Sequence, residues 1–240
     1  MDKVFQDRRS WPPAMINIPG GQASVKDEAS GIRWTVDLPP YRIGRYPITA
    51  WQYQQLVNDL AVPDGQADTP KVEVSWLDAI SFCNQISLQQ GLTPSYRTTV
   101  DGEIECDWGV DGYRLPSEAE WEFACRAGSS EVRYGPLEDV AWYRENSEGS
   151  IHPIGSKAAN AWGLHDTIGN AWEWCWDIYD PAVYGPYRVF RGGGWCDPAH
   201  GCRASCRRKS HPTYRIDDVG FWLAQSVCNG SVMRSGKPEL

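Results

Sequence analysis

The sequence predicts an α+β domain rich in loops, with two main helices and short antiparallel strands, and three observations carry that expectation. Thirteen tryptophans in 240 residues, beside 23 glycines and 17 prolines, describe an indole-rich core joined by turns and exclude a helical bundle or coiled coil. Only two stretches combine apolar helical spacing with strong start signals. Beyond residue 130 that periodicity gives way to short extended segments punctuated by Gly, Pro and Asn. A hydrophobic share of 41% and a charged share of 22% suffice for one sizeable core and exclude disorder.

Along the chain, residues 1–14 read as a loose N-terminal arm, residues 15–228 as one domain and residues 229–240 as a C-terminal tail. MINIPGG (15–21) opens the domain as a strand broken by its Gly pair. RIGRYPIT (42–49) is a second strand, WQYQQLVNDL (51–60) has helical spacing, and 61–71 is loop by composition. The first main helix starts at Ser75, whose hydroxyl can cap it with Asp78 three residues on, and carries the stripe Trp76, Ala79, Ile80, Cys83, Ile86 towards a stop at Gly91. The second begins in the capping box Ser117-x-x-Glu120 and runs to Gly128. Cys83 and Cys125 fall on the apolar faces and read as buried small hydrophobes. AWEWCWD (171–177) puts Trp172, Trp174 and Trp176 on one face of a strand and Glu173, Cys175 and Asp177 on the other. RVFRGGGW (188–195) and VGFWLAQSV (219–227) are the remaining strands, the latter central because it is nearly all apolar.

A formal charge of −8 has the wrong sign for a general nucleic-acid or anionic-membrane binder. The start lacks an apolar signal segment, and no stretch reaches the about 18 apolar residues that span a bilayer. A cytoplasmic protein with no membrane and no nucleic-acid partner is therefore expected. Eight cysteines without a CxxC pair point to reduced thiols.

Four collinear segments carry more than composition: MINIPGG, VSWLDAISFCNQI with YRLPSEAEWEFACRAG, NAWGLHDTIGNAWEW, and RVFRGGGW…CRASCR…DDVGFWLA. In order and spacing the chain resembles, over about residues 13–226, the formylglycine-generating-enzyme (sulfatase-modifying factor) family, whose fold is a variant of the C-type lectin fold. For DTIGNAWE the resemblance implies a Ca2+ site, with carboxylates from Asp166 and Glu173 and backbone carbonyls from Gly169 and Ala171. A hard cation held by oxygens on a sharply turning loop is consistent chemistry. The family's second calcium site has no evident carboxylate in the short stretch ENSEGSIHPIG.

The cysteines weigh enzyme against binder. The oxidase chemistry of the family uses two thiolates, four residues apart, to hold copper, and soft thiolates suit Cu(I). Here Gly-Gly-Gly-Trp-Cys196 is followed by five residues, Cys202, three more residues and Cys206, so neither interval is the required one. A copper-dependent oxidase acting on a protein cysteine through Cys196 and Cys202 is accordingly the alternative. The preferred expectation is a non-catalytic module that binds a protein or small-molecule ligand, resembling the variable proteins of diversity-generating retroelements. In those proteins a frame like Arg191, Gly192, Gly193, Trp195, Cys202, Arg203, Arg207, Pro212, Arg215, Gly220, Phe221 and Leu223 carries diverse residues between its fixed positions. The expected face is 194–218, with Trp195, Asp197, His200, Cys206, Arg208, Ser210, His211, Tyr214, Ile216 and Asp217 as ligand-binding residues. Arginines of the frame are expected to hold the irregular backbone rigid by bonding its carbonyls.

Overall fold

The computed structural model describes residues 8–28, 31–57, 62 and 65–227. Strands β1 (Met15–Ile18), β2 (Gly21–Lys26), β3 (Arg33–Leu38) and β4 (Tyr41–Gly44) come first, with the Gly pair separating β1 from β2 as expected. The short helix α1 (Ala50–Gln54) covers only the start of the predicted 51–60 helix; residues 58–60 lie outside the described residues. The main helices are α2 (Trp76–Gln89) and α3 (Glu118–Arg126), separated by β5 (Tyr96–Thr98), β6 (Ile104–Cys106) and β7 (Tyr113–Arg114). After the one-turn helix α4 (Leu137–Val140) come β8 (Trp172–Ile178), α5 (Pro181–Tyr184), β9 (Arg188–Arg191), β10 (Arg207–Ser210), β11 (Val219–Phe221) and β12 (Ala224–Ser226).

Both main helices begin as the sequence specifies. Ser75 accepts from Asp78 N while Asp78 accepts from Ser75 N at 2.8 Å, and Ser117 and Glu120 make the same reciprocal pair. Each box satisfies amide protons that a helix start leaves free, worth about 1 kcal/mol per cap. Cys83 and Cys125 are fully buried.

Two four-stranded sheets organise the core, in the orders β1-β4-β12-β7 and β10-β9-β8-β11, beside the hairpins β2-β3 and β5-β6. Pairing is antiparallel except between β11 and β8, which run parallel with Phe221 opposite Trp174. The segment 219–227 is two strands rather than one: β11 ends the second sheet, and after Trp222 and Leu223 the chain enters the first sheet as β12, between β4 and β7. Its continuous apolar run reflects burial on all sides at this crossing, where Phe221, Trp222, Leu223 and Ala224 have no exposed surface.

Trp172 and Trp174 point from β8 into the cluster of Trp76, Phe82, Phe190 and Phe221, and Trp176 packs at its edge. Residues 9–14 are no loose arm. Arg9 pairs with Asp68, the Trp11 indole donates to Gln89, and Ala14 O accepts from Arg45 N. The whole of the expected tail, 229–240, lies outside the described residues, as does Cys228.

Candidate binding face and metal loop

After β9 the chain turns at Gly192 and Gly193, with φ +103° and +89°. A Cβ on Gly193 would lie 2.9 Å from Cys202 Sγ, so glycine is required for both conformation and close approach. Residues 194–206 then run without regular structure to β10, and 211–218 without it to β11.

Buried charge pins this irregular backbone from beneath. Arg191, with no exposed surface, donates to Glu118 at 2.8 Å, to Glu122, and to Ala204 O at 2.6 Å. Arg207 forks onto the same Glu118 through two 2.8 Å bonds. Arg133 donates to Cys202 O and Ala199 O, and Arg203 to His200 O. Helix α3 thus supplies the carboxylates, and the strands that flank the loop, β9 and β10, supply the arginines. The expected arginine-to-carbonyl bonds are present, but the deepest guanidinium groups rest mainly on Glu118 and Glu122.

The predicted contact residues divide. His200, Arg208, His211, Tyr214 and Asp217 are exposed, while Trp195, Cys206, Ser210 and Ile216 are half-buried. Asp197 is 3% exposed and belongs to the scaffold: it accepts from Trp172 Nε1 at 2.5 Å, Gly194 N at 2.9 Å and Arg208 at 2.7 Å. Cys196 donates to Asp218 Oδ2 at 3.4 Å, and the potential ligand atoms of Cys196, Asp197 and Asp218 lie within 4.8 Å of one another. Asp218, the last position of the expected face but outside its ligand-binding set, is buried; its place directly before the buried strand β11 is the signal for that.

The two thiols of the oxidase alternative have different surroundings. Burial pushes the Cys202 thiol up to about 12, among Cys175, Val189 and Ala204 in a separate apolar cluster. Burial and the neighbouring Asp218 push Cys196 up to about 11. Cys206, also raised by burial, packs against the main core.

The loop before β8 turns sharply, with Asp166, Gly169 and Asn170 at φ +59°, +75° and +65°. A Cβ on Gly169 would meet Trp142 O at 2.4 Å. Gly169 O already accepts from Ala171 N at 2.8 Å, which leaves its second lone pair. Asp166 is 2% exposed; its Oδ2 accepts from Gly155 N at 2.5 Å and its Oδ1 has no partner. Desolvation raises its carboxyl to about 7. Glu173, 1% exposed, accepts from Trp121 Nε1, and burial pushes its carboxyl well above the usual range. The Trp222 indole favours the charged form of Glu173 without a hydrogen bond of ordinary geometry. Two buried acids with an orphaned oxygen and no ion pair among the described residues fit a cation, which would return both to the charged form.

Residues 1–227 match the sulfatase-modifying factor enzyme 1-like domain. The chain belongs to that family. It is 30% identical to the chaperone protein LppX of Paenibacillus barcinonensis, over 88% of this chain and 89% of that one. It is 26% identical to the inactive Cα-formylglycine-generating enzyme 2 of Mus musculus, over 90% and 86%. The solved structure of Treponema denticola variable protein 1 superposes with a TM-score of 0.82 at 30% identity, covering 89% of this chain and 95% of that one. The fold is accordingly the C-type lectin-like fold of formylglycine-generating enzymes and variable proteins. No helix among the described residues is long and apolar enough to cross a membrane.

Proposed function

We propose that this family member is a non-catalytic binding module whose face is formed by residues 194–218, contacting a protein or small-molecule ligand. The observation that carries the proposal is the division just described: an irregular segment anchored through buried Arg191, Arg207 and Asp197 and displaying His200, Arg208, His211, Tyr214 and Asp217. A surface already rigid loses little conformational entropy when a ligand lands. Diverse exposed side chains on a fixed frame suit a protein whose contacts change while its fold stays. The likeness to a variable protein supports this. Sequencing the codons for 190–224 in many isolates tests it. Substitutions concentrated at the exposed positions, with Arg191, Asp197 and Arg207 fixed, are expected. An even spread, or stoichiometric Cu(I) binding lost on C202S with O2 consumption on a cysteine peptide, overturns it.

We also propose that Asp166 and Glu173, with the carbonyls of Gly169 and Ala171, hold Ca2+ in the loop behind this face. The supporting observations are the unpartnered Oδ1 of Asp166 and the left-handed backbone that brings the loop round.

A further inference from the structure

A groove of about 390 Å3 runs between the β2-β3 hairpin and the start of α5. Its walls include the Trp34 and Tyr179 rings, and its rim carries Ile32, 62% exposed, and Ile178, 41% exposed. Four carboxylates line it, those of Asp27, Glu118, Asp177 and Asp180, against one cation, Arg207.

That cation is committed. Arg207 is held by Glu118 at 2.8 Å and Asp27 at 3.4 Å, with its guanidinium 5.5 Å from the Trp34 ring centre and 4.2 Å from that of Tyr179. Asp180 caps α5 by accepting from Ala182 N and Val183 N. Asp177 has no ion pair among the described residues; Oδ2 accepts from Glu118 N at 2.5 Å, and the groove lies beside it. The nearby Arg188 is stacked on Trp76 and Trp176 and donates to Trp176 O at 2.6 Å; it feels the Asp177 charge but forms no ion pair with it and lies outside the groove lining. Lys209 sits over Tyr179 and Tyr184, outside the lining.

We propose that this groove is a second binding site, separate from the 194–218 face and independent of that reading, which takes a lysine or arginine side chain presented by a polypeptide. With Glu118 and Asp27 matched by Arg191 and Arg207, the carboxylates of Asp177 and Asp180 select a cation, and aromatic walls accept a flat or alkylated one, as the position of Arg207 beside the same two rings illustrates. The exposed Ile32 and Ile178 select the source. A free amine would leave both in water, whereas the apolar neighbours of a basic residue in a chain would cover them.

The test is an NMR titration of 15N-labelled protein with the blocked tripeptide acetyl-Leu-Arg-Leu-amide, following the Trp34 indole signal assigned by its absence in W34L. Saturable shifts at that signal are expected, with at least tenfold weaker binding for the citrulline peptide and for D177N. Asparagine at 177 keeps an acceptor for Glu118 N; should D177N fold poorly, W34L followed at backbone amides near Tyr179 is expected to show the same loss. Equal binding of the citrulline peptide, unchanged affinity in both variants, or the absence of shifts at Trp34 overturns the proposal. So does ethylguanidinium binding as tightly as the peptide, which would mark a site for free amines.

Discussion

Two sets of buried acids sit on either side of Trp121, and they have been neutralised differently. Glu118, Glu120 and Glu122 of α3 are each paired with guanidinium groups, from Arg191 and Arg207, from Arg114, and from Arg191 and Arg126 respectively. Asp166 and Glu173 have no ion pair among the described residues: each accepts an N–H bond, Arg8 acts on Asp166 through its charge alone, and burial raises both carboxyls. The first set is closed: every carboxylate has its counter-charge from within the chain, and the product is a rigid floor. The second is the set for which a cation is proposed above. Burial alone therefore does not distinguish a structural acid from a ligand, whereas the identity of its partner does.

Breaking the closed set has the largest expected effect. R191M leaves carboxylates of Glu118 and Glu122 without one guanidinium in the interior and should cost about 3–5 kcal/mol in urea unfolding. A loss below 1 kcal/mol would mean that Arg126 and Arg207 suffice. Supplying the second set comes next. Ca2+ at about a hundred times its Kd should stabilise by ~2.7 kcal/mol, roughly 5–10 °C in Tm. EDTA should reverse the gain and E173Q should abolish it; a Tm indifferent to both sinks the calcium proposal.

Asp177 sharpens the contrast because it is intermediate, bonded to Glu118 N but pressed by the Glu118 and Glu120 carboxylates. Burial, aided by those charges, raises its carboxyl to about 6 from an ordinary 3.8. The folded state then retains a proton that the unfolded chain has released, so its contribution to stability is greatest at low pH and falls as pH rises from about 4 to about 6. Arg188, Arg207 held by Glu118, and Asp27 and Asp180 across the groove are the other charges near it. D177N should flatten that part of the stability profile. The smallest effect belongs to the exposed face. H200A/H211A/Y214A should change unfolding free energy by less than about 0.5 kcal/mol, since none of the three is buried, while weakening ligand binding.

Local signals made part of this legible. Both capping boxes, the alternation of β8 and the burial of Cys83 and Cys125 depend on neighbours in sequence, and all stand as read. The β2-β3 hairpin was missed because β2, although it alternates, offers only the small apolar residues Ala23 and Val25 on its buried face. β10 was missed because RRKS has no apolar face, its buried partner Glu118 lying 89 residues earlier. Asp197 looked like a surface contact because two of its donors, the Trp172 indole and the Arg208 guanidinium, lie 25 and 11 residues away in sequence. The segment 219–227 looked like one central strand because burial in two successive sheets has the same apolar signature as burial in one.

That crossing also orders events during synthesis. β12 is the partner of both β4 and β7, and β11 closes the other sheet against β8, so each sheet waits for a strand that lies beyond residue 218. Until the ribosome has released this segment, β4 has β1 on one side and an open edge on the other, and the indole face of β8 has no Phe221 to cover it. A nascent chain of this type would spend most of its translation with exposed edges, so truncations before Ala224 should be prone to aggregate rather than merely less stable.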